Sequence, residues 1–417
     1  MRILIIIHQF FPEYASGTER VALNIARMAQ RAGHHVRVLT CAVDPQKTGG
    51  VVTDIPVKGA LEAVYQGLPV TFIPRSALPA TADISLDVDE ELVSKLAVWM
   101  QQERFDVAHV MHTMRMGSAV LAAQRCKLPY VVTLTDFFLP CARINLINLK
   151  NKSCAGPDQG RRCMQDCSTA PWTAHSYIGR FRQTQSLLQA AGARIAPSEY
   201  VAERYREGFE GTEIQVIPHG VDLLALGLAT SPFSRNSLSN AILEIVFIGT
   251  IIPQKGLDIL LKALALLPNA SVRLKVIGGF HGNSAHHDEV KALSSSDARI
   301  EFTGTLEAPE VFRALGEADL LCLPSRVPES FSLVLHECAV AGVPALVSTL
   351  GAPARQVVAH DCGQAVETGN PKAWAAAISA LIDKPETLKR WKRNLFLPLR
   401  IEEEAFFYGS IYQRLCK

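Results

Sequence analysis

Two acids, Glu329 and Glu337, bracket the start of an apolar run, "PESFSLVLHECAVAGVP", which reads as a short loop feeding a helix that stops at Gly342. A carboxylate among core-type residues is costly unless something pairs with it. Glu337 therefore either sits at a solvent edge of that helix or has a ligand. Phosphate chemistry is available at three places where a loop enters a helix: Gly17, Lys255 with Gly256, and Ser330 to Leu333. At each, unpaired N–H groups and the helix dipole favour an anion, and Lys255 adds a cation.

Other chemistries fit less well. No GxGxxG opens a helix after a first strand, which disfavours a dinucleotide-binding dehydrogenase, and "PQKG" lacks the GK[ST] ending of a P-loop. Nothing supplies the two facing carboxylates of a retaining glycoside hydrolase. His8, His109, His112 and His219 fall at strand ends, where each is either a catalytic or sugar-binding group or a packed one, with His112 the best placed. Cys141, Cys154, Cys163 and Cys167 share one polar insertion, about 137–170, and Cys163 and Cys167 are close enough to chelate from one turn. A structural zinc, a disulfide and unpaired thiols all remain open for them. Cys41, Cys126, Cys322 and Cys338 sit in apolar surroundings as small core residues.

The elements that must position these residues alternate. "RILIII", a loop, "RVALNIARMAQRAG" and "HVRVLT" form a βαβ unit, so a parallel sheet is expected. Val- and Ile-rich strands without alternation follow at "FDVAHVM", "PYVVTLT", "ARIAPS" and "IQVIPHG", the pattern of strands buried on both faces. A polar stretch, "LLALGLATSPFSRNSLSN", reads as a linker, and a second series begins at "LEIVFIGT". Two doubly wound α/β domains in tandem follow: 1–230, completed by a C-terminal helix at 400–417, and 240–398. Ligand should bind at the carboxyl ends of the strands and between the domains.

With 417 residues, 48% hydrophobic, and a formal net charge of +2, the chain has room for two cores and no general pull toward nucleic acid. "MRILIIIHQFF" is too short to span a bilayer and lacks a signal-peptide cleavage site, so a cytoplasmic protein is expected. The segment "KPETLKRWKRNLFLPLR" has the composition of an interfacial helix, which gives two readings: peripheral contact with a membrane, or a solvated helix packing its apolar side inward.

The chain resembles the family-4 retaining glycosyltransferases of the GT-B fold over nearly its whole length. "ESFSLVLHECAVAGVP" keeps the EX7E pattern of that family, with Glu329, Phe331, Leu333, Glu337, Gly342 and Pro344 in place. "SGTERVALNIARMAQRAGHHVRVLT", "FDVAHVMH", "VIPHGVD" and "FIGTIIPQKGLDILLKAL" are similar to its other landmarks in the same order. The resemblance implies two Rossmann-like domains facing across a cleft, a nucleoside-diphosphate sugar donor (commonly of uridine or guanosine) and a glycan, lipid-linked or small glycoside acceptor. It implies no metal for catalysis. By position, Glu337 would accept the ribose hydroxyls, Glu329 would lie near the transferred sugar, and Lys255 with the N–H groups of Ser330, Phe331, Ser332 and Leu333 would receive the diphosphate. Gly17 would approach the donor phosphates, and His112 and Asp136 would stand near the chemistry. Three departures stand out: Thr250 replaces an arginine, Ser330 and Ser332 replace glycines, and Thr135-Asp136 replaces a His-Asp pair. Thr250, Ser330 and Ser332 keep a silent binding protein as one alternative; a nucleotide-sugar epimerase of the same architecture is the other, against which the EX7E pattern argues.

Overall fold

The computed structural model describes residues 1–53, 55–168, 174–225 and 242–417. The chain divides into two compact units, Met1–Gly220 with Ile401–Lys417, and Val221–Arg400. The expected linker, 223–240, lies outside the described residues from position 226 on.

The first unit is organised on strands β1 (Arg2–Ile6), β2 (His35–Ala42), β3 (Val51–Val52), β4 (Leu61–Tyr65), β5 (Leu68–Pro74), β6 (Val107–Val110), β7 (Tyr130–Thr133), β8 (Ala193–Ala196) and β9 (Gln215–Val216). Their order across the sheet is β3-β4-β5-β2-β1-β6-β7-β8-β9. β1 lies between β2 and β6, parallel to both, with Ile5 opposite Val38 and His109. That central place explains an all-apolar strand: Ile3 to Ile6 are at most 1% exposed. The sheet is not all parallel. β3, β4 and β5 form an antiparallel edge, and β4 turns into β5 through Gln66-Gly67, both at positive φ, as a tight hairpin requires.

Helices α1 (Gly17–Arg31), α2 (Glu90–Gln102), α3 (Gly117–Arg125), α4 (Arg161–Cys167), α5 (Ala174–Ala190) and α6 (Glu199–Gly208) belong to this unit. α1 begins before the expected start at Arg20, because Ser16 and Glu19 form a capping box that satisfies donors at its N-terminus.

The second unit has strands β10 (Leu243–Ile248), β11 (Val272–Ile277), β12 (Ile300–Gly304), β13 (Leu320–Leu323), β14 (Ala345–Ser348) and β15 (Gly363–Val366), all parallel in the order β12-β11-β10-β13-β14-β15. Between and after them run α7 (Leu257–Ala265), α8 (Ser284–Ser294), α9 (Ala308–Glu317), α10 (Leu333–Val340), α11 (Ala352–Ala359), α12 (Pro371–Asp383) and α13 (Glu386–Arg393). The basic segment with two readings is largely α13, and its apolar side faces inward: Leu388 and Trp391 are 0% and 4% exposed in the unit's core. Each apolar side chain buried this way contributes about 2 kcal/mol, so presenting that face to lipid would mean unpacking it. Among the described residues, no helix is long and apolar enough to cross a membrane.

The last helix, α14 (Ile401–Leu415), packs on the first unit. His109 Nδ1 lies 2.6 Å from the Tyr412 hydroxyl and its Nε2 2.7 Å from Thr133 Oγ1, which meets Tyr408 at 2.8 Å. His219 Nδ1 is 2.9 Å from Glu404, whose other oxygen accepts the Gly220 N–H at 2.9 Å. Two of the four strand-end histidines thus fasten a helix instead of facing a ligand.

Candidate functional site

In the second unit, β10 leads through Gly249 and Thr250 into a 3-10 turn, Pro253–Lys255. The Lys255 ammonium donates to Glu329 Oε1 at 2.9 Å, and the Ser325 hydroxyl donates to the same oxygen. Two residues expected from the sequence, distant along the chain, are therefore in contact; Ser325 was visible only as part of "LPSRVPES". Their side chains are 36% and 13% exposed, so the pair is reachable by a ligand.

This turn is clamped from behind. Asp258 on α7 is 1% exposed and receives both Arg326 nitrogens at 2.6 Å, with Lys262 at 3.3 Å. Burial works against its charge, but Arg326 and then Lys262 prevail and hold its carboxyl below the usual range. The Arg326 guanidinium also donates to the Pro253 carbonyl at 2.8 Å, and the Arg326 backbone N–H donates to the Gln254 carbonyl at 2.8 Å. Gly256, at φ +68, approaches so closely that a methyl there would collide with the Pro324 carbonyl oxygen. Neither Asp258 nor Arg326 was a sequence candidate, although Asp258 sits within "KGLDILLKAL". Thr250 is exposed, and Arg326, the guanidinium bound to the same turn, is committed to Asp258 and the Pro253 carbonyl.

Glu329 is set by its backbone as well. It bridges to Gly351, and its carbonyl accepts the Ala352 N–H at 2.8 Å. Gly351, at φ +85, passes so near that a side chain would strike the Glu329 backbone.

Ser332 caps α10: its hydroxyl accepts the Leu335 N–H at 3.3 Å, and its φ of −172° is ordinary extended backbone. Neither Ser330 nor Ser332 has a positive φ, so replacing glycine at these positions asks nothing special of the chain. The first N–H groups of α10, beginning at Leu333, have no intrahelical acceptor and are suited to an anion. Phe331 is buried, stacked on His336 with ring centroids 4.0 Å apart, and so offers a ligand its backbone and not its ring. Glu337 is half-buried on α10. The Cys338 thiol is pushed well up, first by burial and then by the Glu337 charge.

In the first unit, His112 Nε2 lies 2.8 Å from Asp136 Oδ2, and His112 Nδ1 accepts the Met114 N–H at 3.1 Å. That acceptor role places the ring proton on Nε2, facing the carboxylate. The His8 ring lies against His112 with centroids 3.9 Å apart, and its Nε2 is 3.9 Å from Glu19 Oε1. Burial, then His112 and Arg115, hold His8 well below the usual histidine range, so it is neutral near pH 7. His8 Nδ1 and Glu19 Oε1 are buried without a hydrogen-bond partner among the described residues. Glu19 is fully buried, its other oxygen taking the Ser16 N–H at 2.8 Å. Sequence reasoning missed it, though Ser16-x-x-Glu19 is a capping-box signature. Gly17 is the first residue of α1, beside this group in sequence.

The four insertion cysteines are gathered but not converged. Cys163 interacts electrostatically with Cys141, Cys154 and Cys167, yet among the described residues no three His, Cys, Asp or Glu are set to hold a metal ion.

Comparison with known proteins gives the same architecture. Residues 15–223 match a family model described as Glycosyltransferase Family 4, and residues 235–396 match one described as Glycosyl transferases group 1. D-inositol 3-phosphate glycosyltransferase of Xylanimonas cellulosilytica is 26% identical over 388 residues, covering 88% of this chain and 84% of that protein. The protein of the same name from Pseudarthrobacter chlorophenolicus is 29% identical over 380 residues, 89% of this chain and 83% of that one. Among solved structures, sucrose-phosphate synthase from Thermosynechococcus elongatus superposes with a TM-score of 0.70 at 18% identity, over 99% of this chain and 98% of its own. HepE of Anabaena, in complex with UDP and glucose, does so at 0.63 and 18%, over 100% and 98%. With one α/β unit matched to each family model, the chain belongs to Glycosyltransferase Family 4 and has the GT-B fold.

Proposed function

We propose that this glycosyltransferase is a retaining enzyme that moves a sugar from a nucleoside-diphosphate sugar to an acceptor hydroxyl. The observation that carries the reading is the Lys255–Glu329 contact, held at 2.9 Å in front of the clamped turn. It sets a cation and a carboxylate side by side, close in sequence to the α10 N-terminus. In the reaction, the bond from the sugar's anomeric carbon to the diphosphate oxygen breaks and a bond to the acceptor oxygen forms on the same face. The acceptor's proton passes to the departing phosphate. Lys255 and the α10 N–H groups neutralise the charge that develops on the leaving group, a role that mutagenesis elsewhere values at about 2.7–4 kcal/mol for a single donor. Glu337 accepts the ribose hydroxyls, and Glu329 contacts the transferred sugar. His112, aligned by Asp136, and Gly17 are assigned to substrate binding on the first unit. Because Lys255 and helix N–H groups supply the positive charge, catalysis in this reading uses no metal.

HepE is described in complex with UDP and glucose, which makes uridine diphosphate sugars the first donors to test. The relatives are named for D-inositol 3-phosphate, which adds a phosphorylated cyclitol to glycan, lipid-linked and small glycoside acceptors. The setting proposed is glycan synthesis in the cytoplasm. The test is a melting screen against UDP, GDP, ADP and NAD. A ligand at 100 times its Kd stabilises by about 2.7 kcal/mol. A nucleoside diphosphate should raise the melting temperature, and Glu337→Ala should remove the effect. A response to NAD alone would overturn the reading.

A further inference from the structure

The helix α10 buries a histidine, His336, among Leu335, Cys338 and Ala339. It is 7% exposed, and its ring turns back toward the start of the helix. His336 Nδ1 lies 2.8 Å from the Ser332 carbonyl oxygen, one turn upstream. A carbonyl oxygen only accepts, so Nδ1 carries the ring proton and donates. The backbone N–H of His336 reaches the same oxygen at 3.3 Å. The side chain therefore supplies the shorter of the two bonds that open α10.

The imidazole is itself held in place. Phe331 stacks on one side of it with ring centroids 4.0 Å apart and planes at 19°, and Phe396 meets it edge-on at 5.0 Å. Both phenylalanines are 8% exposed, so the ring has little room to turn. The Ser332 carbonyl that it grips shares a peptide unit with the Leu333 N–H, and that unit is planar and trans. Oxygen and hydrogen then point in opposite directions. Holding the oxygen from within the helix aims the Leu333 N–H outward, where the first N–H groups of a helix lack intrahelical acceptors and favour an anion. A bond accepted by the oxygen also polarises the amide and strengthens its N–H as a donor, the more so away from water. The Ser332 hydroxyl serves a different donor, the Leu335 N–H at 3.3 Å.

We infer that His336 is a positioning residue for the donor diphosphate: by holding the Ser332 carbonyl, it orients and strengthens the Leu333 N–H that receives the leaving group's charge. It acts through that peptide and touches neither sugar nor phosphate. The inference rests on the donor-site reading above and adds a residue that the spacing of Glu329 and Glu337 does not mark.

The test is calorimetric titration of the full chain and two variants with the diphosphate that raises its melting temperature (UDP, GDP or ADP) and, by competition, with the parent nucleoside. Initial rates with the matching nucleotide sugar run beside it. His336→Phe keeps a ring between Phe331 and Phe396 but removes the donor, whereas His336→Asn places a side-chain N–H near the position of Nδ1. His336→Phe should bind the diphosphate about tenfold more weakly, the scale of one lost hydrogen bond. Its kcat should fall more than the KM for the nucleotide sugar rises, and the nucleoside should bind as it does to the unaltered chain. His336→Asn should recover most of the diphosphate affinity. Equal weakening toward diphosphate and nucleoside, or equal loss in both variants, would reduce the ring to a support of the fold and overturn the inference. Undiminished diphosphate affinity in His336→Phe overturns it too. A readout on the unaltered protein keeps the matter independent of how the variants fold: with isotope-labelled leucine, the Leu333 amide signal should move on addition of the diphosphate and not of the nucleoside, and a Leu333 signal indifferent to both refutes the inference. Absence of any nucleoside-diphosphate binding by the unaltered chain would instead strike the donor-site reading, and this inference with it.

Discussion

The clamp behind Lys255 makes a quantitative expectation. Asp258→Ala removes two Arg326 contacts at 2.6 Å from a carboxylate that is 1% exposed. Removing one partner of a buried pair costs about 3–5 kcal/mol, and because the Arg326 side chain is 37% exposed and regains water, we take about 2–3 kcal/mol. The folded-state carboxyl is held below its unfolded value, so the pair contributes fully above about pH 3.9 and its contribution is lost as pH falls through the lower folded value. Hydrogen exchange of peptides spanning β10 and α7, read by mass spectrometry at neutral pH, reports this locally. The opening equilibrium should rise roughly 30- to 160-fold, and nucleoside-diphosphate affinity should fall as the Pro253–Lys255 turn loosens. Lys262→Ala, which removes a side chain 40% exposed, should cost under about 1 kcal/mol. A double-mutant cycle with Arg326→Met should return a coupling of about 1–3 kcal/mol. Unchanged exchange and unchanged affinity in Asp258→Ala would refute the idea that this pair positions the lysine.

Other expectations follow from single contacts. His109 is held down to about 3 by burial and then by His219, so its unfolded form binds a proton that the folded form refuses. Stability should therefore fall as pH drops from about 6.5 toward 3, by up to about 1.4 kcal/mol per unit from this residue, and urea midpoints of His109→Gln should show a shallower acid slope. Gly351→Ala places a methyl against the Glu329 backbone at φ +85; it should cost about 1–3 kcal/mol and lower kcat more than donor binding, as calorimetry and initial rates would reveal. His112→Asn, which leaves Asp136 without its imidazole partner, should raise KM with little change in kcat, as expected of a group that binds substrate; an unchanged KM in initial-rate measurements would remove it from substrate binding.

What could be read from the sequence followed from local rules. The buried strands were legible because β1, β10 and β13 have no polar face, and α10 because Ser332 opens it and Gly342 follows it. Lys255 and Glu329 were legible by type and spacing, but their contact depends on Gly256 and Gly351 allowing two backbones to approach, which no local pattern encodes. Glu19 and Asp258 were missed because a buried acid inside a helix looks like a surface acid until its partner is placed. The antiparallel edge was missed because β3 is two residues long and β4 has little burial to mark it. The basic α13 stayed open between two readings, because Leu388 and Trp391 give one signature whether that face meets lipid or core.

The central claim is retaining transfer from a donor held by Lys255, Glu329 and Glu337. It is tested most directly by proton NMR of the reaction with a UDP- or GDP-sugar, following the anomeric signal of the first-formed product. The account expects the donor's anomeric configuration to be kept, in acceptor product or in slow donor hydrolysis, and turnover to disappear in Glu329→Ala while that variant still binds nucleotide. Inverted configuration, or full turnover by Glu329→Ala, would contradict it.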